Sequence, residues 1–452
     1  MSSRKTSILT VSLVIVLVLA LAVFAAACGG GGTTTTGAPA TTGSTVATGG
    51  TDTTAPASTD TTAASGGTPT GDPIKVGAPL PLTGAYAADG EHMQYGLKMA
   101  VADLNAAGGL LGRPVELKVF DIEELLPETV AASAASLLDK EKVDVVVEGY
   151  GGYGPDFEAY GANSDVPFIH GSGSVRAADM VKADPAKYGN MFQVFPVEAE
   201  YGKRAWEGMV QFESKYTYPN KKIAILHGDL EWDLNYTKAV ADLATAAGWT
   251  VVMNETFPYG TTDWGSILTK IRAEKPAAIV CSVLSVADIS SFVKQFMENP
   301  TPSLLDISYM VVFKETQEAV GNDLTGVMGY VTSYVTPTPE HDAWKANFKK
   351  MFNMDVPLTT PPSTYDSVML WAEAVKAVGD PTKYKEIEAY IRTHPYKGLL
   401  GTYDFNNAEQ TIKPGPEFQI AYSQYIGDGK LAFFGTDQFV LPPYITPAWA
   451  AK

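Results

Sequence analysis

From Ile74 onward the chain alternates short apolar runs with longer segments whose apolar residues fall at helical spacing. Few folds accommodate that pattern. Ile74–Pro79, Val115–Phe120, Val143–Val147 and Phe168–His170 have strand length and strand composition. Between the first two, Gln94–Ala106 carries Leu97, Ala100, Val101 and Leu104 on one helical face, and Gly108-Gly109 ends it. Glu128–Asp139 is an Ala-rich helix. A second series begins after Phe195-Pro196, with helices Ala199–Phe212, Tyr236–Ala247 and Trp264–Ala273 and strands Lys222–Leu226, Trp249–Met253 and Ala277–Val283. Strands separated by helices are parallel, joined by right-handed crossovers. The fold class expected is α/β: two doubly wound parallel-sheet lobes with a cleft between them. Ligands in such sheets sit beyond the carboxyl ends of the strands, where loops enter helices.

The region before Ile74 has a different character. Arg4 and Lys5 precede a nearly unbroken apolar run, Ile8–Ala27, and Cys28 follows Ala25-Ala26-Ala27. A basic start, an apolar stretch and small residues before a cut describe an exported precursor. A cysteine at that point resembles the lipobox of a bacterial lipoprotein, with Ala25 where leucine is usual. Residues 1–27 are therefore expected to be a signal peptide and Cys28 the lipidated N-terminus, although about 20 apolar residues are also enough for an uncleaved anchor. Gly29–Asp72 holds three charges and almost no large apolar side chain, so it buries too little to offset chain entropy. Residues 28–72 are expected to be a flexible tether, about 35–40 Å end to end as a coil.

The formal net charge of −17 becomes −19 once Arg4 and Lys5, the charged residues of 1–27, are removed. So acidic a chain repels phosphate backbones, which argues against nucleic acid as a partner. Cys281, the second of two cysteines, lies in an apolar run and is expected to be a buried small residue. Trp206, Trp264 and Trp371 fall on helical faces and are expected in the core.

Several motifs bear on chemistry. Gly149-Tyr150-Gly151-Gly152-Tyr153-Gly154 has the spacing of a dinucleotide fingerprint, but three strands precede it and no acid ends the next one. It reads better as a loop facing a cleft. His170-Gly171-Ser172-Gly173-Ser174 is not a nucleophile elbow, and no acid is placed to orient the histidine. Hydroxyls and free N–H groups just before a helix near Arg176 would instead hold a carboxylate. The five histidines are widely spaced and none has a zinc-type partner. No enzyme, cofactor or metal is expected. Trp232, in the loop after Lys222–Leu226, is placed to close over a ligand.

Along 74–445 the chain resembles the Leu/Ile/Val-binding branch of the periplasmic binding proteins, type 1 fold receptors serving ABC importers. The resemblance rests on Pro79-Leu80-Pro81-Leu82-Thr83-Gly84, on Ala100–Pro114 with its Gly108-Gly109-Leu110-Leu111-Gly112-Arg113-Pro114 ending, on Lys222–Leu226, on Thr364-Tyr365-Asp366 and on Gly401-Thr402-Tyr403-Asp404-Phe405. It implies three hinge crossings, near Phe195, Ser333–Val335 and Gln419–Tyr422, with lobes of 74–195 plus 335–420 and of 196–334 plus 421–452. It implies Ser172 and Ser174, with Gly173 between them, as carboxylate ligands and Trp232 as an aromatic lid. The serine such proteins place after the third strand is replaced here by Gly151-Gly152-Tyr153, which brings Gly152 and the Tyr153 phenol toward the ligand. The ammonium-binding acid matches Phe313 or Glu315. Asp89, in the loop after Thr83-Gly84, is a further candidate to bind an amine.

The resemblance implies a monomeric receptor on the extracytoplasmic face of a membrane, held by its N-terminal lipid. Its partners are an ABC permease and a small ligand: an amino acid, an aromatic acid or an amide. A sensor subunit of the same fold, reporting to a signalling partner, is the alternative.

Overall fold

The computed structural model describes residues 67–213, 216–434 and 444–450, all within the compact unit Ala63–Lys452. The expected signal peptide 1–27, Cys28 and most of the expected tether lie outside the described residues. Of the tether, Thr70 donates its N–H to Gly112 O at 2.9 Å and Asp72 O accepts from Arg113 Nε at 2.8 Å. These last residues before Ile74 are therefore bonded to the folded unit. No helix among the described residues is long and apolar enough to cross a membrane.

The first sheet contains β1 (Ile74–Leu80), β2 (Val115–Asp121), β3 (Val145–Glu148), β4 (Phe168–His170) and β5 (Met191–Gln193). All are parallel, in the order β2-β1-β3-β4-β5. The second sheet begins with β6 (Lys222–His227), β7 (Thr250–Thr256), β8 (Ala278–Ser282), β9 (Leu304–Asp306) and β10 (Met328–Val331). A two-stranded ribbon follows, β11 (Tyr396–Lys397) with β12 (Thr402–Tyr403), and then β13 (Ala421–Gly427) and β14 (Lys430–Phe434) complete the second sheet. Its order is β14-β13-β10-β9-β8-β6-β7. In chain order, β7-β6-β8-β9-β10 repeats the arrangement of the first sheet, so each has one topological switch point: β1/β3 in the first, β6/β8 in the second.

The second sheet is not wholly parallel. β13 pairs antiparallel with β10, and β14 with β13. The turn between β13 and β14 explains the second pairing: Asp428 and Gly429 both have positive φ, 53° and 69°, the geometry of a tight two-residue hairpin that Asp-Gly favours.

Burial follows strand position. β3 and β8 are buried along their whole length, as central parallel strands covered on both faces must be. β7, at the sheet edge, is mostly exposed or half-buried, with Met253 alone buried. Cys281 in β8, Trp264 and Trp371 are fully buried and Trp206 nearly so.

The first helix is longer than the sequence pattern indicates. It runs Ala87–Ala106 rather than starting at Gln94, because Gly90 sits against the preceding turn: a Cβ there would be 2.0 Å from Pro81 O. Asp89 is thus in the first turn of a helix, not in a loop. Gly96 lets the same helix approach helix Pro361–Val378 closely, since a Cβ there would be 2.0 Å from Pro361 O. That crossing brings Asp89 beside Thr360.

Candidate ligand-binding site

A cavity of about 380 Å³, counting the space open at its mouth, lies where the carboxyl ends of both sheets meet. Each of the four switch-point strands sends a residue to it from the segment that follows: Asp89 after β1, Tyr150 and Tyr153 after β3, Trp232 after β6 and Leu284 after β8. Gly171, Ser172 and Gly173 follow β4, Phe195 follows β5, Tyr309 follows β9 and Thr332 follows β10. Tyr201, Tyr330 and Thr360 complete the wall.

Seven of the lining residues are aromatic. Six of their rings fall in two groups: Tyr150 stacks on Tyr153 with centroids 6.2 Å apart, and Tyr309 on Tyr330 at 5.6 Å. Tyr330 in turn touches Tyr201 at 4.9 Å and Trp232 at 5.5 Å. Tyr153 takes a left-handed backbone conformation, φ 50°, held by Arg176 Nη1 donating to its carbonyl at 3.1 Å. A non-glycine residue in that region costs of order 1 kcal/mol, so the loop is fixed by its surroundings.

Of the residues singled out in the sequence, Asp89, Tyr153, Ser172, Gly173 and Trp232 meet in this cavity. Three others lie elsewhere. Gly152 is behind the wall, where a Cβ would meet Val130 and Pro155 at 3.3–3.4 Å. Glu315 is 42 % exposed and 3.7 Å from His92, while Phe313, the alternative match, stacks on His92 at 5.5 Å. Ser174 caps helix Val175–Ala183: its hydroxyl accepts from Ala177 N at 3.3 Å, and its own N–H donates to Gln193 Oε1 at 2.7 Å.

The anion cradle anticipated at that helix start is largely filled by the protein itself. Besides Ser174 N–H, the Val175 N–H is taken by Glu198 Oε2 at 2.7 Å. Burial pushes the Glu198 carboxyl up to about 7, against the pull of the backbone N–H groups that it accepts. The glycine-rich loop after β3 behaves alike, since Gly154 N–H is bound to Asp156 Oδ1 at 2.7 Å. His170 is buried against Phe157 and Phe168, at 5.3 and 4.9 Å, and burial lowers it to about 3. It is therefore neutral, packed in the core and unsuited to a base's role beside Ser172.

Polar groups that remain free face the cavity. The hydroxyls of Ser172, Thr332 and Tyr150 are buried without hydrogen-bond partners. Asp89 Oδ2 accepts from the Tyr309 hydroxyl and Oδ1 from Thr360 Oγ1 at 3.3 Å. Burial raises the Asp89 carboxyl above its ordinary value, while Tyr309, His92, Tyr150 and Thr360 oppose the shift.

Sequence reasoning missed Tyr150, Phe195, Tyr201, Leu284, Tyr309, Tyr330, Thr332 and Thr360 as cavity residues. Tyr150 shares a loop with Tyr153, and Phe195 stands where the family resemblance put a crossing, so both carried a signal. The others come together through strand order alone.

This geometry is that of a binding protein, and comparison with known proteins agrees. The model of the periplasmic binding protein family matches residues 73–421, and the chain belongs to that family. It is 27 % identical over 259 residues to Leu/Ile/Val-binding protein homolog 8 of Brucella abortus (strain 2308), a match covering 56 % of this chain and 62 % of that protein. The match thus spans about three-fifths of that relative's length. The fold superposes on a putative branched-chain amino acid ABC transporter from Silicibacter pomeroyi with TM-score 0.74 and 28 % identity, covering 84 % of this chain and all of the other. It also superposes on a solute binding protein of an ABC transporter from R. palustris, solved in complex with benzoate, with TM-score 0.68 and 20 % identity, covering 80 % of this chain and 96 % of the other.

Proposed function

We propose that this protein is the solute-binding component of an ABC importer. Held on the extracytoplasmic face of a membrane by a lipid on Cys28, it captures a small ligand and presents it to a permease without altering it chemically. The moving bodies in this reading are 74–195 plus 335–420 and 196–334 plus 421–452, closing as a monomer. The observation that carries the proposal is the single enclosure to which the switch-point loops of both sheets contribute. A ligand held there contacts both bodies at once, and so favours the closed arrangement by its preference for that state.

The wall favours an amino-acid-like or aromatic ligand. Seven rings supply apolar contact, Ser172 and Thr332 supply free hydroxyls, and Asp89 supplies an acidic end. Micromolar affinity requires about 8 kcal/mol net, within reach of such contacts. The names carried by the Brucella and Silicibacter relatives point the same way.

Native mass spectrometry of the purified protein, then thermal-shift screening of amino acids, aromatic acids and amides, identifies the ligand. Small-angle scattering with that ligand is expected to show compaction. Unchanged dimensions on saturation would exclude lobe closure. The sensor reading is separated by reconstitution: ligand-dependent stimulation of a permease ATPase supports import, and its absence beside a responsive kinase or chemoreceptor supports sensing.

A further inference from the structure

The loop that brings Tyr150 and Tyr153 to the cavity has an acid at each end: Glu148, the last residue of β3, and Asp156, just before the helical segment Phe157–Ala162. We propose that these two carboxyls share one proton inside the fold and that the shared proton holds the loop in place. Glu148 and Asp156 are then positioning residues for the cavity wall, whichever ligand the cavity takes.

Both side chains are closed off from solvent, at 1 % and 0 % exposure. Neither oxygen of Glu148 has a hydrogen-bond donor, and Asp156 has one only at Oδ1, the Gly154 N–H at 2.7 Å. The free oxygens converge over Gly151, where a Cβ would lie 2.6 and 2.9 Å from the two Glu148 oxygens and 3.0 Å from Asp156 Oδ2. Two ionised carboxylates so placed offer each other acceptors but no donor, and like charges in a buried site do not both persist. One proton answers both needs. Burial raises the Glu148 carboxyl well above the carboxylate range, and Asp156 beside it raises it further. Burial also raises Asp156, but the Gly154 N–H and Glu148 pull it back down. Glu148 is therefore the acid of the pair and Asp156 the acceptor.

The groups around the pair leave that proton where it is. His170, in register with Glu148 across β3 and β4, is neutral, with a partnerless Nδ1. The Tyr160 hydroxyl is bonded to Ser133, and burial raises both Tyr160 and Tyr153. Arg176, the cation beside the loop, is engaged by Tyr153 O at 3.1 Å and Glu231 Oε2 at 3.5 Å. The loop itself is strained, with Tyr153 and Gly154 at φ 50° and 153°. If Glu148 ionises and Asp156 swings away from it, Gly154 N–H loses its acceptor and the Tyr150–Tyr153 pair comes free. A group raised in the folded state contributes stability that is lost as pH rises through its folded value. The wall is thus complete while the proton is bound and loosens in alkali.

Infrared spectroscopy of the ligand-free protein tests the proton. At about pH 8, above the values near 7 reached by Glu198, Asp233 and Asp366, the wild type is expected to keep the carbonyl stretch of a protonated carboxyl. Glu148→Gln should weaken that band, because its amide donates to Asp156 without a proton. Hydrogen exchange over residues 149–156 tests the loop. Between about pH 6 and pH 8, wild-type protection should fall about tenfold per pH unit relative to Glu148→Gln, the slope of one proton. Asp156→Asn keeps an acceptor for Gly154 and gains a donor for Glu148, so it should flatten the slope in the same way.

A wild type without the acid band at pH 8 overturns the inference, as does a band undiminished in Glu148→Gln. Equal slopes in the wild type and in either folded variant overturn it too, and make the pair a fixed part of the core. Should neither variant fold, the wild-type band and slope decide alone.

Discussion

Glu198 Oε2 accepts the backbone N–H of Val175 at 2.7 Å, so a side chain from the helix that follows β5 caps a helix that follows β4. Asn235 Nδ2 steadies the other oxygen at 3.3 Å. Removing the acceptor takes away a part-buried hydrogen bond at a helix start, which costs about 1 kcal/mol. Glu198→Ala is expected to lower stability by that amount in urea titration, and Glu198→Gln, which keeps an acceptor oxygen, by much less. Equal losses for both variants would show that the charge, rather than the hydrogen bond, matters.

Stability should rise as the solution is acidified from pH 8 to pH 6.5. Burial raises Glu198, Asp233 and Asp366 to about 7 and Asp306 to about 6. Unfolded, these carboxyls titrate near 4. The folded state therefore binds more protons than the unfolded one between those values. Their contribution is full below about pH 4 and is lost as pH rises through 6 to 7. His170, lowered to about 3, works the other way below about 6.5, where its unfolded form gains a proton. Calorimetric melting at pH 8, 7 and 6.5 is expected to give increasing temperatures, with the rise continuing below 6.5 because four raised carboxyls outweigh His170. A falling series across that interval would mean these acids are solvated rather than buried.

Two serines two residues apart should separate cleanly. Ser174 is a helix cap, so Ser174→Ala is expected to cost about 1 kcal/mol of stability. Ser172 has a buried hydroxyl without a partner in the cavity wall, so Ser172→Ala should leave stability unchanged and weaken ligand binding by about 1 kcal/mol. Denaturation and calorimetry on the pair check this. The reverse pattern would put the ligand on the helix start and not on the cavity floor.

Cys28→Ser is expected to release the protein from membranes while leaving ligand affinity as it was. Fractionation of expressing cells, followed by calorimetry on both forms, tests the two halves separately. Retention of the serine variant in the membrane fraction would favour an uncleaved apolar anchor at Ile8–Ala27.

Much of the architecture was legible because strand and helix periodicities are local. The apolar runs at Ile74, Val115, Val143, Phe168, Lys222 and Ala277 all became strands. The early start of helix Ala87–Ala106 was hidden by Gly90, which is poor in helices but needed where Pro81 O comes within 2.0 Å of a would-be Cβ. The antiparallel β13–β14 hairpin had a signal in Asp428-Gly429 that the parallel pattern before it obscured. For the site, strand-end loops rich in Gly, Ser and aromatics pointed to Tyr153, Ser172, Gly173 and Trp232. Glu315 and Gly152 matched by position along the chain and lie outside the wall.

By itself the sequence determined the α/β class, the doubled series and the places where loops leave strands, because hydrophobic spacing is set by backbone geometry one residue after another. What only the tertiary structure decided is which donors and charges are still free at the cleft. Ser174 reads as a ligand in the chain and is a cap in space. Asp89 reads as a loop residue and stands buried at a helix start, ringed by hydroxyls from Tyr309 and Thr360, more than 200 residues away. Hydrogen-bond satisfaction depends on neighbours brought in by strand order and helix crossings. No local pattern carries that information.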